Sequence, residues 1–442
     1  MDKLKVFLIT LGCSKNEIDS ELMIGLLKRS NYILSSSLED ADIIIVNTCG
    51  FIKAAKEESI ETIWEITEYK NIGKCKYIIL AGCLAERYSE ELLDEIDEID
   101  GIIGTGNIGE IDKLIKMLEK GERKIKITEN INESYLENVE RQSFRTTEYV
   151  KISEGCDNHC SYCIIPKLRG KHRSRKIEDI MDEVKYLVDN GVKEVILIGQ
   201  NITDYGIDLY GEYRLYELLD NLNNIEGLKW IRLHYLYPDN ISSRLIHSIK
   251  NNEKVVKYLD IPLQHINNEI LKKMNRRTTK EEIENLIYRL RKEIPEIILR
   301  TTFIVGFPGE DDAKFEELYQ FVEKIKFDRL GVFTYSREEG TPAYNFPNQL
   351  DEKIKEDRRN AIMELQQKIS YHLNKKKVGN IYEVLIEEEN GDGIYIGRSY
   401  MDSPEIDGII YIRSDKALQT GDFIKVLITD CLEYDLIGEM VE

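Results

Sequence analysis

Eight cysteines are spread along this 442-residue chain, and three of them fall within eight residues: Cys156-Asp157-Asn158-His159-Cys160-Ser161-Tyr162-Cys163. Thiolates are soft ligands that suit iron–sulfur clusters and zinc. Three cysteines on a 4Fe-4S cluster leave one iron with an open position, and an open position turns a metal from structural to reactive. With His159 as a fourth donor, the same stretch would make a closed zinc site. Three further cysteines, Cys13, Cys49 and Cys83, stand 36 and 34 residues apart, each just after a run of strand character. Ligands of open parallel sheets sit at the carboxyl ends of the strands, so these three are placed to converge. The alternative is that each is a small buried residue. Cys75 and Cys431 fit no motif and read as ordinary thiols. In a large chain without a secretory start, metal or redox chemistry is a better reading of cysteine than disulfides.

The elements around these residues alternate. Lys5–Thr10, Asp42–Val46, Tyr77–Ala81 and Ile102–Thr105 read as strands, with helical patterns after the first and over 53–70. Strand and helix in alternation predict a parallel α/β sheet. A polar connection, with room for a strand, covers 121–147. From Glu148 the alternation resumes through about six β/α units. Their strands are expected at 148–153, 194–199, 230–234, 258–262, 297–305 and 329–333, enough for a partial TIM-like (β/α)6 barrel with its site on the loops after the strands. The Cys156 loop lies there, as do Gly199-Gln200-Asn201 and Gly306-Phe307-Pro308-Gly309. The glycines of the latter allow close backbone approach to a ligand, or simply a tight turn. A long helix over 351–376 leads to five short strands with Gly-rich turns, which predict a small antiparallel β-barrel. The expected domains are therefore 1–140, 141–374 and 375–442.

The net charge of −20 opposes binding to a polyanion, and from Lys375 onward fifteen acidic residues face seven basic ones. No run approaches the apolar length of a membrane helix, and the start has no signal-peptide pattern, so a cytoplasmic protein is expected.

The Cys-x3-Cys-x2-Cys spacing with Tyr162 before the last cysteine resembles the radical S-adenosylmethionine (SAM) superfamily. In that superfamily the open iron binds the amino and carboxylate groups of SAM, and an electron from the cluster splits SAM to a 5′-deoxyadenosyl radical. The resemblance extends over the whole chain to the methylthiotransferases, which join a three-cysteine domain, a radical SAM barrel and a C-terminal TRAM barrel. It is carried by Leu11-Gly12-Cys13-Ser14-Lys15-Asn16 through Asp19-Ser20-Glu21, Asn47-Thr48-Cys49-Gly50-Phe51, Ala81-Gly82-Cys83-Leu84, Ile164-Ile165-Pro166 with Arg169-Gly170 and Arg173-Ser174-Arg175, Arg300 through Glu310, and Tyr335-Ser336 with Glu339-Gly340-Thr341-Pro342. It implies two 4Fe-4S clusters, one on Cys156, Cys160 and Cys163 and one on Cys13, Cys49 and Cys83. Tyr162 would lie near the adenine, or pack the cluster loop. Gly199, Gln200, Asn201, Gly306 and Gly309 are candidate SAM contacts. Arg169, Arg173, Arg175 and Arg300 are solvated or phosphate-type charges, or face substrate or SAM.

Lys15-Asn16 after Cys13, Gly331 through Thr341, and Gly397-Arg398-Ser399 with Ser403 through Gly408 are similar to the branch that modifies an aspartate β-carbon in a small-subunit ribosomal protein (RimO type, acting on uS12). They differ from the branch acting on tRNA adenosine (MiaB type). The acidic balance agrees, since it would draw a basic ribosomal protein and repel RNA. The implied partners are that basic protein and an external electron donor, with no nucleic-acid substrate and no membrane.

Overall fold

The computed structural model describes residues 3–128, 131 and 141–441. The middle of the expected 121–147 connection (129, 130 and 132–140) lies outside them.

The first sheet is parallel, with strands β1 Lys5–Thr10, β2 Ile33–Leu34, β3 Ile43–Thr48, β4 Tyr77–Ala81, β5 Gly101–Ile103 and β6 Ile125–Ile127, in the order β2-β1-β3-β4-β5-β6. β3 is buried at every position, as a strand covered on both faces must be. The edge strand β2, two residues long, is too short for a pattern to show, and β6 is a strand inside the 121–147 connection.

The second sheet takes β7 Thr147–Lys151, then β8 Ser153–Glu154 and β9 Arg173–Ser174 as a side ribbon, and then β10 Glu194–Ile198, β11 Trp230–Leu233, β12 Val255–Asp260, β13 Ile298–Val305 and β14 Arg329–Thr334. Its order, β14-β13-β12-β11-β10-β7, is that of an open six-stranded parallel barrel. Helices cover it with apolar stripes of helical period, such as Ile177, Ile180, Val184 and Leu187. β12 begins three residues earlier than the sequence pattern suggests. Lys257, which interrupts that pattern, folds back to donate to the carbonyls of Ile249, Asn252 and Val255.

The helix Glu352–Lys375 leads into a closed barrel of β15 Ile381–Glu389, β16 Ile394–Ser399, β17 Ile410–Arg413, β18 Phe423–Cys431 and β19 Leu436–Val441. It is not wholly antiparallel. β18 is bonded to β15 and β19, so closure leaves β17 and β19 side by side, and they pair in parallel.

The small barrel shares a core with the large one, in which Trp230, Val256, Tyr258 and Ile298 pack with Val384, Tyr395 and Ile410. Glu194, fully buried, accepts from Arg232 Nε at 2.8 Å and from Arg398. Arg329 pairs with Asp402, and Tyr258 donates to Asp407 at 2.6 Å. No helix among the described residues is long and apolar enough to cross a membrane.

Candidate active site between two cysteine sets

β1, β3 and β4 are neighbours in register, Thr10 opposite Asn47 and Asn47 opposite Ala81, so the chain leaves all three strands at one edge. Cys13, Cys49 and Cys83 lie just past those ends. Two glycines let the exits close on one another. Gly12 has φ +92°, and a Cβ there would stand 2.7 Å from Cys49 Cβ. Gly82 has φ +87°, and a Cβ there would stand 2.3 Å from Asn47 Oδ1. Asn16 donates to the carbonyls of Leu11 and Thr48 at 2.9 and 3.0 Å, and Asn47 donates to the carbonyl of Asn16 at 2.8 Å. Ser59 Oγ accepts from the Cys49 amide and donates to its carbonyl, both at 3.0 Å. Cys49 and Cys83 are buried, while Cys13 is exposed. Burial pushes the Cys83 thiol up to about 11, against the pull of Arg169, and it raises Cys49 too.

The second set lies on the loop after β8. Gly155, at φ +76°, brings it against Lys171, and the Cys156 amide donates to the Gly170 carbonyl at 3.1 Å. Ser161 holds the loop from the other side, its amide on the Met274 carbonyl at 2.9 Å and its hydroxyl on that of Lys273 at 2.7 Å. Burial pushes the Cys156 thiol up to about 11 and raises Cys163 further. Metal binding must therefore displace these protons. Among the described residues no three His, Cys, Asp or Glu side chains close on a single point, as one ion would demand, and His159 is exposed. A 4Fe-4S cluster asks for less convergence than a single ion, because it spreads its cysteines over several irons.

Around the second set stand buried polar atoms with no partner in the protein, Ser153 Oγ and Gln200 Oε1, while Asn201 accepts from Thr203 and faces the Asp204 carboxylate. Such atoms are rare unless something binds them, so the ends of β8 and β10 fit a polar ligand. Gly199 is needed for packing, since a Cβ there would be 2.5 Å from Ser153 Oγ. Gly306 also has a packing reason, since at φ +74° an added Cβ would meet the Lys355 stem at 2.3 Å, while Gly309 is favoured by its φ of +88°. Tyr162 packs with Met274, Phe307 and Tyr335, and its hydroxyl accepts from Arg276 at 3.4 Å. Arg276 in turn lies 4.1 Å over the Tyr237 ring.

Four buried charges join the two sets. Lys151 Nζ is 2.5 Å from both Asp19 Oδ1 and Glu154 Oε2. One Arg169 nitrogen is 2.5 Å from Asp19 Oδ2 and 3.4 Å from Glu154 Oε2, and the other is 2.6 Å from Asn16 Oδ1 and 3.5 Å from Cys83 Sγ. Burial works against the Glu154 carboxylate, but Lys151 and Arg169 outweigh it and hold the group down to about 2. Gln200 donates to the other Glu154 oxygen at 2.6 Å. The solvated reading of the arginines is thus corrected. Arg169 and Arg175 are buried in ion pairs, the latter on Glu183, and Arg300 pairs with Asp260. Asp19 stands in the first of the matching stretches, whereas Lys151 and Glu154 carry no motif of their own. A lysine inside a buried strand, three residues before a buried acid, was the available signal.

A cleft of about 430 Å³ opens beside Cys13, lined by Leu11, Glu17 and Glu21 of the first domain, Tyr149 of β7 and Glu405 of the third domain.

A radical SAM barrel flanked by a cysteine-bearing α/β sheet and a five-stranded barrel defines a radical SAM enzyme of the methylthiotransferase class. Models of the radical SAM superfamily, of an uncharacterized family (UPF0004) and of the TRAM domain match residues 150–322, 5–104 and 378–441. The chain belongs to the ribosomal protein uS12 methylthiotransferase (RimO) family. It is 52% identical over 441 residues to the member from Clostridioides difficile, covering 99% of each chain. It is 50% identical over 448 residues to that from Acetivibrio thermocellus, again covering 99% of each. Among solved structures it is similar to the radical SAM methyltransferase TsrM from Kitasatospora setae, with a TM-score of 0.58 over 88% of this chain and 81% of that one. At 13% identity this shows a shared fold. As a family member the chain is a sulfur-group transferase that works with SAM and two 4Fe-4S clusters.

Proposed function

We propose that this protein methylthiolates the β-carbon of an aspartate side chain in a small-subunit ribosomal protein of the uS12 type. The carrying observation is that Cys83 of one cysteine set and Glu154, two residues before Cys156 of the other, contact the same buried guanidinium, that of Arg169. Two cluster sites so joined can serve one substrate. Identity near 50% along the whole chain to proteins named for that activity supports the choice of substrate.

Cys156, Cys160 and Cys163 would hold the SAM-binding cluster, and Cys13, Cys49 and Cys83 the second. When bound, these groups supply reductive cleavage of SAM, hydrogen removal from carbon, and the methylthio group. The residues do the rest. Ser153 and Gln200 offer unpaired polar atoms to SAM, and Tyr162 packs the cluster loop against Phe307 and Tyr335. The charge square of Asp19, Lys151, Glu154 and Arg169 fixes the first domain on the barrel and keeps water from the path between the sets. Cys13 is the cysteine reachable from the cleft. There Glu17 and Glu21 already pair with Arg145 and Arg141, and the exposed Glu405 would favour a basic segment over phosphate. Divisions at 1–140, 141–374 and 375–442 would then be working units, with an external electron donor and a cytoplasmic setting.

The test is mass spectrometry of the isolated ribosomal protein after incubation with reconstituted enzyme, SAM, sulfide and a reductant. A mass gain of one methylthio group on an aspartate is expected. Methylthiolated adenosine in tRNA, with the protein unmodified, would overturn the proposal.

A further inference from the structure

The buried charge square is not symmetrical toward the two cysteine sets. Two cations, Lys151 and Arg169, balance two anions, Asp19 and Glu154, and the square as a whole is neutral. Arg169 alone reaches a cysteine sulfur, with Nη2 3.5 Å from Cys83 Sγ. Its side chain is 2% exposed. The guanidinium is held in place from three directions by Asn16, Asp19 and Glu154, so it cannot swing out to solvent. A fixed, desolvated positive charge at this range acts on the sulfur with little screening.

We infer that Arg169 is a positioning residue that sets the electron affinity of the cluster on Cys13, Cys49 and Cys83, separately from that of the barrel cluster. This rests on the ligand assignment in the proposed function. The reduced cluster carries one more negative charge than the oxidised one, and a cation beside a ligand sulfur favours the reduced form. Removing the cation must therefore shift the midpoint potential negative. Removing its anionic partner Asp19, while leaving the guanidinium in place, must shift it positive. On the barrel side, Glu154, two residues before Cys156, takes a contact from Arg169 at 3.4 Å and offsets part of the same charge there.

The experiment is an electron paramagnetic resonance redox titration of the anaerobically reconstituted full chain. Wild type, Arg169→Lys, Arg169→Gln and Asp19→Asn are compared, with SAM added to mark the barrel cluster by its spectral change. The N-terminal midpoint should move negative in Arg169→Gln, less in Arg169→Lys and positive in Asp19→Asn, with the barrel midpoint unmoved. Loss of N-terminal iron in Arg169→Gln with retention in Arg169→Lys also supports the charge role. An unmoved N-terminal midpoint, a shift confined to the barrel cluster, or equal iron loss in both Arg169 variants would overturn the inference while leaving the proposed activity standing. A wild type holding a single cluster would overturn both.

Discussion

Ser403 of the third domain and His234 of the barrel share a buried hydrogen bond, Oγ to Nε2, at 2.8 Å. Burial and the arginines around it push His234 well below the usual histidine range, so the imidazole is neutral. The third domain is thus locked to the barrel by side chains that sit deep in a shared core. Among the described ion pairs that run from the third domain to the barrel, Glu194 with Arg398 is the most enclosed. Arg398→Ala leaves Glu194 with Arg232 alone, and breaking a buried pair costs about 3–5 kcal/mol. Denaturant unfolding should show a loss of that size together with faster proteolysis between the domains. A loss below about 1 kcal/mol would show that the pair does not hold the domains together.

Gly12→Ala should empty the first cysteine set and spare the second. The φ of +92° and the 2.7 Å approach to Cys49 Cβ allow no methyl group without moving the loop. Iron analysis of the reconstituted variant should give about half the wild-type content. Full iron content would mean that the loop relaxes freely.

Lys377 makes stability depend on pH in the alkaline range. Burial chiefly, with Arg329 adding to it, lowers its ammonium to about 8, below the ordinary lysine value. The unfolded chain then binds more protons than the folded one between about 8 and 10.5, so stability rises with pH across that window and is lost as pH falls back through it. Lys377→Met should remove this slope. It should also raise stability at neutral pH by about 1–3 kcal/mol, since each tenfold loss of proton affinity on folding costs roughly 1.4 kcal/mol. Denaturant midpoints measured at several pH values check both. An unchanged slope in the variant would place the titration elsewhere.

Ser153→Ala removes a buried hydroxyl that has no partner in the protein. The thermal midpoint should therefore stay within a degree or so, while SAM binding to the reconstituted enzyme weakens about tenfold, the worth of one hydrogen bond. Unchanged SAM affinity would remove Ser153 from the binding site.

Much of this arrangement was legible in the sequence because it is local. The Cys-x3-Cys-x2-Cys loop needs no tertiary information, and Cys13, Cys49 and Cys83 betray themselves by standing after strand-like runs. The signature Lys15-Asn16 could be matched but not explained. In the fold, Lys15 covers the Tyr235 ring and Asn16 accepts from Arg169, so both residues join the first domain to the barrel. That partnership, like the charge square, spans more than a hundred residues of chain and leaves no periodic trace. Short edge strands such as β2 lie below the length at which alternation can be read. The parallel β17–β19 pair follows from barrel closure, a global property. The glycine loop at Gly306 read as a ligand cradle or a tight turn, and Lys355 beside it adds a packing reason for the glycine that only the fold shows.

Under the proposed function two cysteine sets divide the labour, one cleaving SAM and one delivering sulfur. The most direct measurement compares wild type with the Cys13→Ala/Cys49→Ala/Cys83→Ala variant, following 5′-deoxyadenosine and methylthiolated ribosomal protein in the same reaction. The variant should keep forming 5′-deoxyadenosine and form no methylthiolated protein. Methylthiolated product from the variant would contradict that division.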